Sequence, residues 1–320
     1  MEYSFVPFEC QIRPTSSCAS RLDSVSASRD GRRVVVTRAS PAASLWSVPI
    51  LPRPAEERDA KPYTVPTERA LAPRFGGKSS LFYLSARGTA DGLWSFKNQQ
   101  SFEILAGDSG PLLEPPAPSP DGSRVAVVVR QEGRRHLAIM SQDGTGSRTL
   151  AASINIQGAA DWSPDGHSIV AGGLDNSGPG LFKIPVDDGG SPVRLVAGQA
   201  FNPVWSPDGN VIVYASAFAS GQVSLLGVRG DGTPVTLPPA RVRPGGYRFL
   251  RDGMRLVYLS RPESLDFSLL DLVTGESRQL TNLGNKGTLR GFDITPDGTH
   301  IVFDRTQQNS DIVLIDLVKK

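Results

Sequence analysis

Seven times along this chain, at intervals of 43 to 46 residues, a tight turn is followed by a strongly β-forming run. The turns read Ser28-Arg29-Asp30-Gly31, Phe75-Gly76-Gly77, Ser119-Pro120-Asp121-Gly122, Ser163-Pro164-Asp165-Gly166, Ser206-Pro207-Asp208-Gly209, Leu250-Arg251-Asp252-Gly253 and Thr295-Pro296-Asp297-Gly298. Proline presets φ near about −65°, Asp can bond its own backbone, and Gly takes the left-handed conformation that closes a short hairpin. The runs behind the turns, such as Val125-Ala126-Val127-Val128-Val129 and Ile212-Val213-Tyr214, are apolar without alternation. A strand reads this way when both of its faces are covered.

A third strand follows in each unit, Leu45-Trp46-Ser47-Val48 in the first and Ile312-Val313-Leu314-Ile315 in the last, and a more polar fourth closes most units. A period in the forties with four short strands is the pattern of a β-propeller blade. The sequence therefore predicts an all-β fold: a seven-bladed propeller of four-stranded antiparallel blades, in one domain spanning residues 1–320. The last unit lacks a fourth strand, while Tyr3-Ser4-Phe5-Val6-Pro7-Phe8 precedes the first unit without a partner. That N-terminal strand is expected to pair with Asp311 to Leu317 and close the ring, removing two open edges. With 33 glycines and 26 prolines spread along the chain, helix should be scarce.

The net charge is +2, and no basic stripe interleaved with aromatics appears, so nothing points to nucleic acid. Arg29, Arg32 and Arg33 read as a solvated hairpin tip. No apolar run is long enough to insert in a membrane, and no secretory apolar region stands at the N-terminus. Cys10 and Cys18 are the only cysteines and define neither a disulfide framework nor a metal site; they read as free thiols, buried or half-buried. A propeller that starts at its closing strand leaves no room for other domains, so the chain is expected to be a mature or excised segment of something longer.

Several motifs look catalytic and read better as parts of the repeat. Ala72 to Ser79 fits a loose phosphate-loop pattern, but Gly76-Gly77 fall at the turn position and Lys78-Ser79 lead into a strand, where such a loop opens a helix. Gly107-Asp108-Ser109-Gly110-Pro111 is similar to the nucleophile loop of chymotrypsin-like proteases, yet the first histidine, His136, comes after it instead of before. His167 and His300 stand at near-equivalent repeat positions, blades apart, and do not read as converging metal ligands. Asp187-Asp188, and Asp161 with Asp293, read as turn and strand-end residues before they read as an acid/base pair.

Trp162-Ser163-Pro164-Asp165-Gly166, Trp205-Ser206-Pro207-Asp208-Gly209 and Ile294-Thr295-Pro296-Asp297-Gly298, each followed by a β run, resemble the WD-like repeats of the TolB-type propeller family. The resemblance covers essentially the whole chain and is strongest from Ser119 onward. It departs in the first two units, where Arg29 and Phe75 stand in place of proline, and the family's namesake has six blades. The stretch from Phe292 to Leu317 is similar to the C-terminal propellers of bacterial serine/threonine kinases and winged-helix regulators. The resemblance implies a binding or sensory propeller of a bacterial envelope or signalling protein, in a periplasmic or other extracytoplasmic setting.

Two functions from different classes fit such a chain. One is a non-catalytic binding module that takes a protein or small ligand at one end of the central channel, with contacts on the loops Pro52 to Pro62, Asp175 to Gly180 and Ala240 to Gly246. The other is a lactonase-like propeller hydrolase with a metal or acid/base site on the channel axis. The residues just before the turns are Ser26, Ala72, Ala117, Asp161, Val204, Arg248 and Asp293, mostly unable to ligate a metal. This set favours the binding module, with no catalytic residue, metal or cofactor assigned. Asp161, Arg248 and Asp293 are the candidate channel-end residues. The structural anchors are the turn residues Asp30, Gly31, Gly76, Gly77, Asp121, Gly122, Asp165, Gly166, Asp208, Gly209, Asp252, Gly253, Asp297 and Gly298.

Overall fold

The computed structural model describes residues 21–316, apart from 31, 40–41, 78, 87–90, 108–111, 113, 188–189, 220–221, 261–265, 285–286 and 308–309. Of the residues singled out in the sequence, Tyr3 to Phe8, Cys10, Cys18, Gly31, Lys78, Ser109 and Asp188 lie outside the described residues.

The described chain is a succession of antiparallel meanders. Leu71–Gly76, Ser80–Ala86, Asp91–Lys97 and Gln100–Leu105 pair in chain order as sheet I. Sheets II to V repeat the arrangement, opening with the inner strands Ala117–Pro118, Asn155–Trp162, Phe201–Trp205 and Tyr247–Phe249. In sheet IV a further strand, Arg241–Val242, also pairs with the third strand Gln222–Val228. Among the described residues the only helix is a 3-10 turn, Glu57–Asp59.

Sheet VI draws on both ends of the chain, in the order Phe292–Ile294, His300–Gln307, Ala42–Pro49, Lys61–Tyr63. The strands left over, Arg21–Ala27, Arg33–Ala39 and Ser310–Asp316, form a separate three-stranded flanking sheet. This pairing corrects the expected first and last units. Ser47 stands opposite Val302, and Ile315 stands opposite Val34, so the third strands of the two units have exchanged places. The reason is local chemistry. The slot beside His300–Gln307 is covered on both faces and takes Ala43, Leu45 and Val48, each buried, whereas Ile312 and Leu314 are 78 % and 55 % exposed in the flanking sheet.

Six apolar clusters join the sheets pairwise. Leu84 meets Val127 between I and II, Val128 meets Ile156 between II and III, and Leu181 meets Ile212 between III and IV. Val213 and Tyr247 share the cluster between IV and V, Leu269 and Phe303 that between V and VI, and Val302 and Tyr83 that between VI and I. Each of the six sheets therefore has two neighbours, and sheet VI adjoins sheet I.

The repeated turn is held by its own side chains. Ser119, Ser163, Ser206 and Thr295 donate their hydroxyls to Asp121, Asp165, Asp208 and Asp297 at 2.5 to 2.6 Å. The same aspartates accept the N–H two residues on, and these hydrogen bonds hold Asp121 and Asp297 at a pKa of about 2. Gly122 has a φ of 73°, and a Cβ there would lie 2.9 Å from the Gly76 carbonyl. Both its conformation and the close approach of sheet I exclude a side chain.

Candidate functional site

The pairing registers identify one equivalent position on all six inner strands. Arg74 faces Phe82, Ala117 faces Ala126, Asp161 faces Val170, Val204 faces Val213, Arg248 faces Val257 and Asp293 faces Val302. Four of the six are charged, and they sense one another: Arg74 is influenced by Arg248, Asp293 and Asp161, and Asp161 by Arg248, Arg74 and Asp293. The inner strands thus carry a belt of two arginines and two aspartates. The sequence led to Ala72, not Arg74, because counting back from Gly77 assumes a standard turn. Gly77 comes two residues after Phe75, where Gly122 comes four after Pro118, so counting back from Gly77 overshoots Arg74 by two; the turn is also shorter, with five residues between the paired Phe75 and Leu81 against six between Pro118 and Val125.

The two aspartates act as clasps between neighbouring strands. Asp161 Oδ2 accepts the Trp205 N–H at 2.8 Å, tying sheet III to sheet IV. Asp293 Oδ2 accepts the Phe75 N–H at 2.7 Å, tying sheet VI to sheet I, and its Oδ1 accepts the Ile294 N–H at 2.9 Å. Burial pushes the Asp161 carboxyl up to about 6 against the pull of Arg248 and the Trp205 N–H. Arg74 is 6 % exposed, and its Nη1 donates to the carbonyls of Pro73 at 2.8 Å and Phe292 at 2.5 Å. Burial first, and the Arg248 charge second, bring its pKa down to about 9. Arg248 Nη1 donates to the Tyr247 carbonyl at 3.0 Å. Among the described residues neither Arg74 nor Arg248 forms an ion pair within 4.0 Å.

Beside this belt, where the inner strands begin, a cavity of about 100 Å³ opens. Arg74 and Arg248 line it together with Arg290, Glu114, Asn202 and small or proline residues. Asn202 has a φ of 48°, which an asparagine tolerates, and its Oδ1 accepts the Ala159 N–H at 2.8 Å. Arg290 pairs with Asp91 at 3.1 Å, and Glu114 pairs with Arg135 at 3.1 Å. Sequence reasoning missed Arg74, Arg290, Asn202 and Glu114. Asn202 and Glu114 precede prolines at the start of an inner strand, a pattern too common to single them out.

The other residues singled out in the sequence lie elsewhere. A second cavity, about 360 Å³, is lined by Ser79, Lys97, Asn98, Thr295 and Asp297 and lies between the turns of sheets VI and I. His136 faces Val129 in sheet II, His167 lies 3.3 Å from Asp187 in sheet III, and His300 contacts Thr299 in sheet VI. Asp187 also pairs with Arg124 at 2.6 Å. Among the described residues no group of three His, Cys, Asp or Glu side chains could hold a metal ion. No described helix is long and apolar enough to cross a membrane.

Of the three variable loops, Ala240 to Gly246 reaches the cavity lined by Arg74 and Arg248, through Pro244 and Gly245. Pro52 to Pro62 is a packed strap: Ala55–Glu56 pairs in parallel with Thr281–Asn282, and Glu57 meets Arg305 at 2.8 Å. Asp175 to Gly180 is a tight hairpin in which Asp175 faces Gly178.

Comparison with known proteins gives a consistent result. The family model of the TolB beta propeller domain matches residues 72–237. An uncharacterized protein of Agrobacterium fabrum, Atu1656, is 27 % identical over 205 residues, which are 58 % of this chain and 68 % of that protein. A provisionally assigned TolB from Agrobacterium tumefaciens superimposes with a TM-score of 0.60 at 20 % identity, over 84 % of this chain and 99 % of that one. TolB from Acinetobacter baumannii gives a TM-score of 0.54 at 14 % identity, over 84 % of this chain and 65 % of that one.

Proposed function

This chain belongs to the TolB β-propeller family, and from that premise we propose that it is a non-catalytic binding module whose ligand, a protein or a small molecule, is taken at the end of the channel where the inner strands begin. We read sheets I to VI as the six blades of one closed propeller, with the two inner strands of the last blade from the C-terminal side and the two outer strands from residues 42–63. Membership of the family supports an envelope or signalling setting in a bacterium. The observation that carries the reading is the division of labour on the inner strands. The carboxylates Asp161 and Asp293 are committed to main-chain N–H groups, as a structural clasp needs, while Arg74 and Arg248 line an open cavity. An acid/base pair made of Asp161 and Asp293 would need the reverse, with these two carboxylates facing the ligand.

The test couples binding to turnover. The full chain and a variant with residues 243–246 replaced by Ser and Gly are immobilised and challenged with extract of the source cells. A partner or metabolite retained by the wild type and lost by the variant is the expected outcome. Lactone, ester and peptide substrates should show no turnover above buffer. Turnover that disappears in Asp161→Ala or Asp293→Ala would move the chain to the hydrolase class.

A further inference from the structure

We propose that the channel-end cavity is a site for one small oxyanion, a carboxylate or a phosphate group, gripped by the guanidinium groups of Arg74 and Arg248. The proposal rests on the binding role argued above and names the chemistry of the ligand. The cavity wall carries three guanidinium groups against one carboxylate. Glu114, that carboxylate, is already paired with Arg135, and Arg290 is paired with Asp91. Arg74 and Arg248 therefore carry the positive charge that no contact ion pair meets among the described residues.

Asp161, Asp293 and Asp304 are the opposite charges that act on Arg74, but none of them lines the cavity, and each carboxylate accepts the main-chain N–H of a neighbouring strand. Arg74 is 6 % exposed and its assigned hydrogen bonds go to carbonyl oxygens. Carbonyls take the Nη1 donors without neutralising its charge, and a buried charge left so is costly. A second guanidinium close by adds repulsion, in keeping with the lowered proton affinity of Arg74. An oxyanion between the two relieves both. The planar fork of Arg suits the paired oxygens of carboxylate and phosphate alike. The volume, about 100 Å³, leaves room for a group of that size.

The experiment uses the full chain with inorganic phosphate and with succinate, each against sodium chloride at equal ionic strength, followed by calorimetric titration and thermal unfolding. Saturable binding of at least one of the two, with a rise in melting temperature beyond the chloride control, is expected. Phosphate alone identifies a phosphorylated ligand, and succinate alone a carboxylate ligand; either supports the site. Arg248→Gln should weaken binding at least tenfold, and Arg248→Lys, which keeps the charge and loses the fork, by a smaller factor. Should Arg248→Gln fail to fold, the lysine variant decides. Neither anion exceeding chloride, or equal binding by wild type and the folded variant, would overturn the site. A partner that still depends on residues 243–246 would then leave the binding role standing.

Discussion

Asp304 is fully buried, yet its two oxygens accept three main-chain N–H groups, from Ala72 at 2.6 Å, Arg290 at 2.6 Å and Gly291 at 3.0 Å. It sits on the second strand of sheet VI and fixes the start of the inner strands of sheets VI and I, and with them Arg74 and Arg290. Asp161 and Asp293 join strands by the same device, so these three carboxylates serve first as acceptors. Burial pushes the Asp304 carboxyl up to about 6 in spite of its three donors. A carboxyl whose pKa is raised on folding holds its proton more tightly in the folded state. Its ionisation therefore lowers stability as pH rises from about 4 to about 6, by on the order of 3 kcal/mol, and the loss is complete above that window. The turn aspartates held at about 2 act in the opposite sense and below this window. Asp304→Asn should lose the slope between pH 4 and 6 that belongs to this group. It should also be less stable at every pH, since a single carbonyl oxygen cannot take all three N–H groups. Urea unfolding at pH 4, 5, 6 and 7 checks it; an unchanged slope would mean that Asp304 does not titrate in this range.

At the scale of the strand, the chain makes its pairing visible and hides the identity of the partner. Leu45-Trp46-Ser47-Val48 and Ile312-Val313-Leu314-Ile315 both read as third strands, because apolar alternation records that a strand has a covered face. It does not record which neighbour covers it. The second strand His300–Gln307 could take either, and it takes Ala42–Pro49, whose Trp46 also carries the Arg305 guanidinium 4.7 Å over its ring. The pair Ser47→Cys with Val302→Cys should form a disulfide on mild oxidation, since directly opposed residues lie within the reach of an S–S bond. The control pair Val302→Cys with Ile315→Cys, which a sequential last hairpin would bring together, should stay reduced. Non-reducing electrophoresis after proteolysis separates the outcomes, and crosslinking of the control pair would restore the sequential blade. The inner-strand slot is legible in the same partial way: Asp161, Arg248 and Asp293 stand at a constant distance before their turn glycines, whereas Arg74 comes into register only through the shortened turn behind it.

For the whole molecule, the six-bladed reading proposed above makes ring closure and flanking sheet separable. Sheets I to VI share a core cluster at each of six junctions, and the junction of VI with I contains Leu45, Val302, Leu81 and Tyr83. Among the described residues the flanking sheet enters none of the six clusters, and although Val36 is buried it leaves Val25 63 %, Ile312 78 % and Leu314 55 % exposed. Its removal should therefore forfeit little buried apolar surface. Removal of Ala42–Pro49 would take the buried Ala43, Leu45 and Val48 out of the core, with about 1.5 to 3 kcal/mol lost for each of the two larger side chains and the ladder to His300–Gln307 broken as well. Two truncations put the difference to measurement. A chain lacking residues 1–40 and 310–320 should melt cooperatively within a few degrees of the full chain, whereas one lacking residues 1–49 and 310–320 should melt far lower or fail to fold. Equal and large losses in both would mean that the flanking sheet is a seventh member of the ring, and the six-bladed reading, with the channel end built on it, would have to be redrawn.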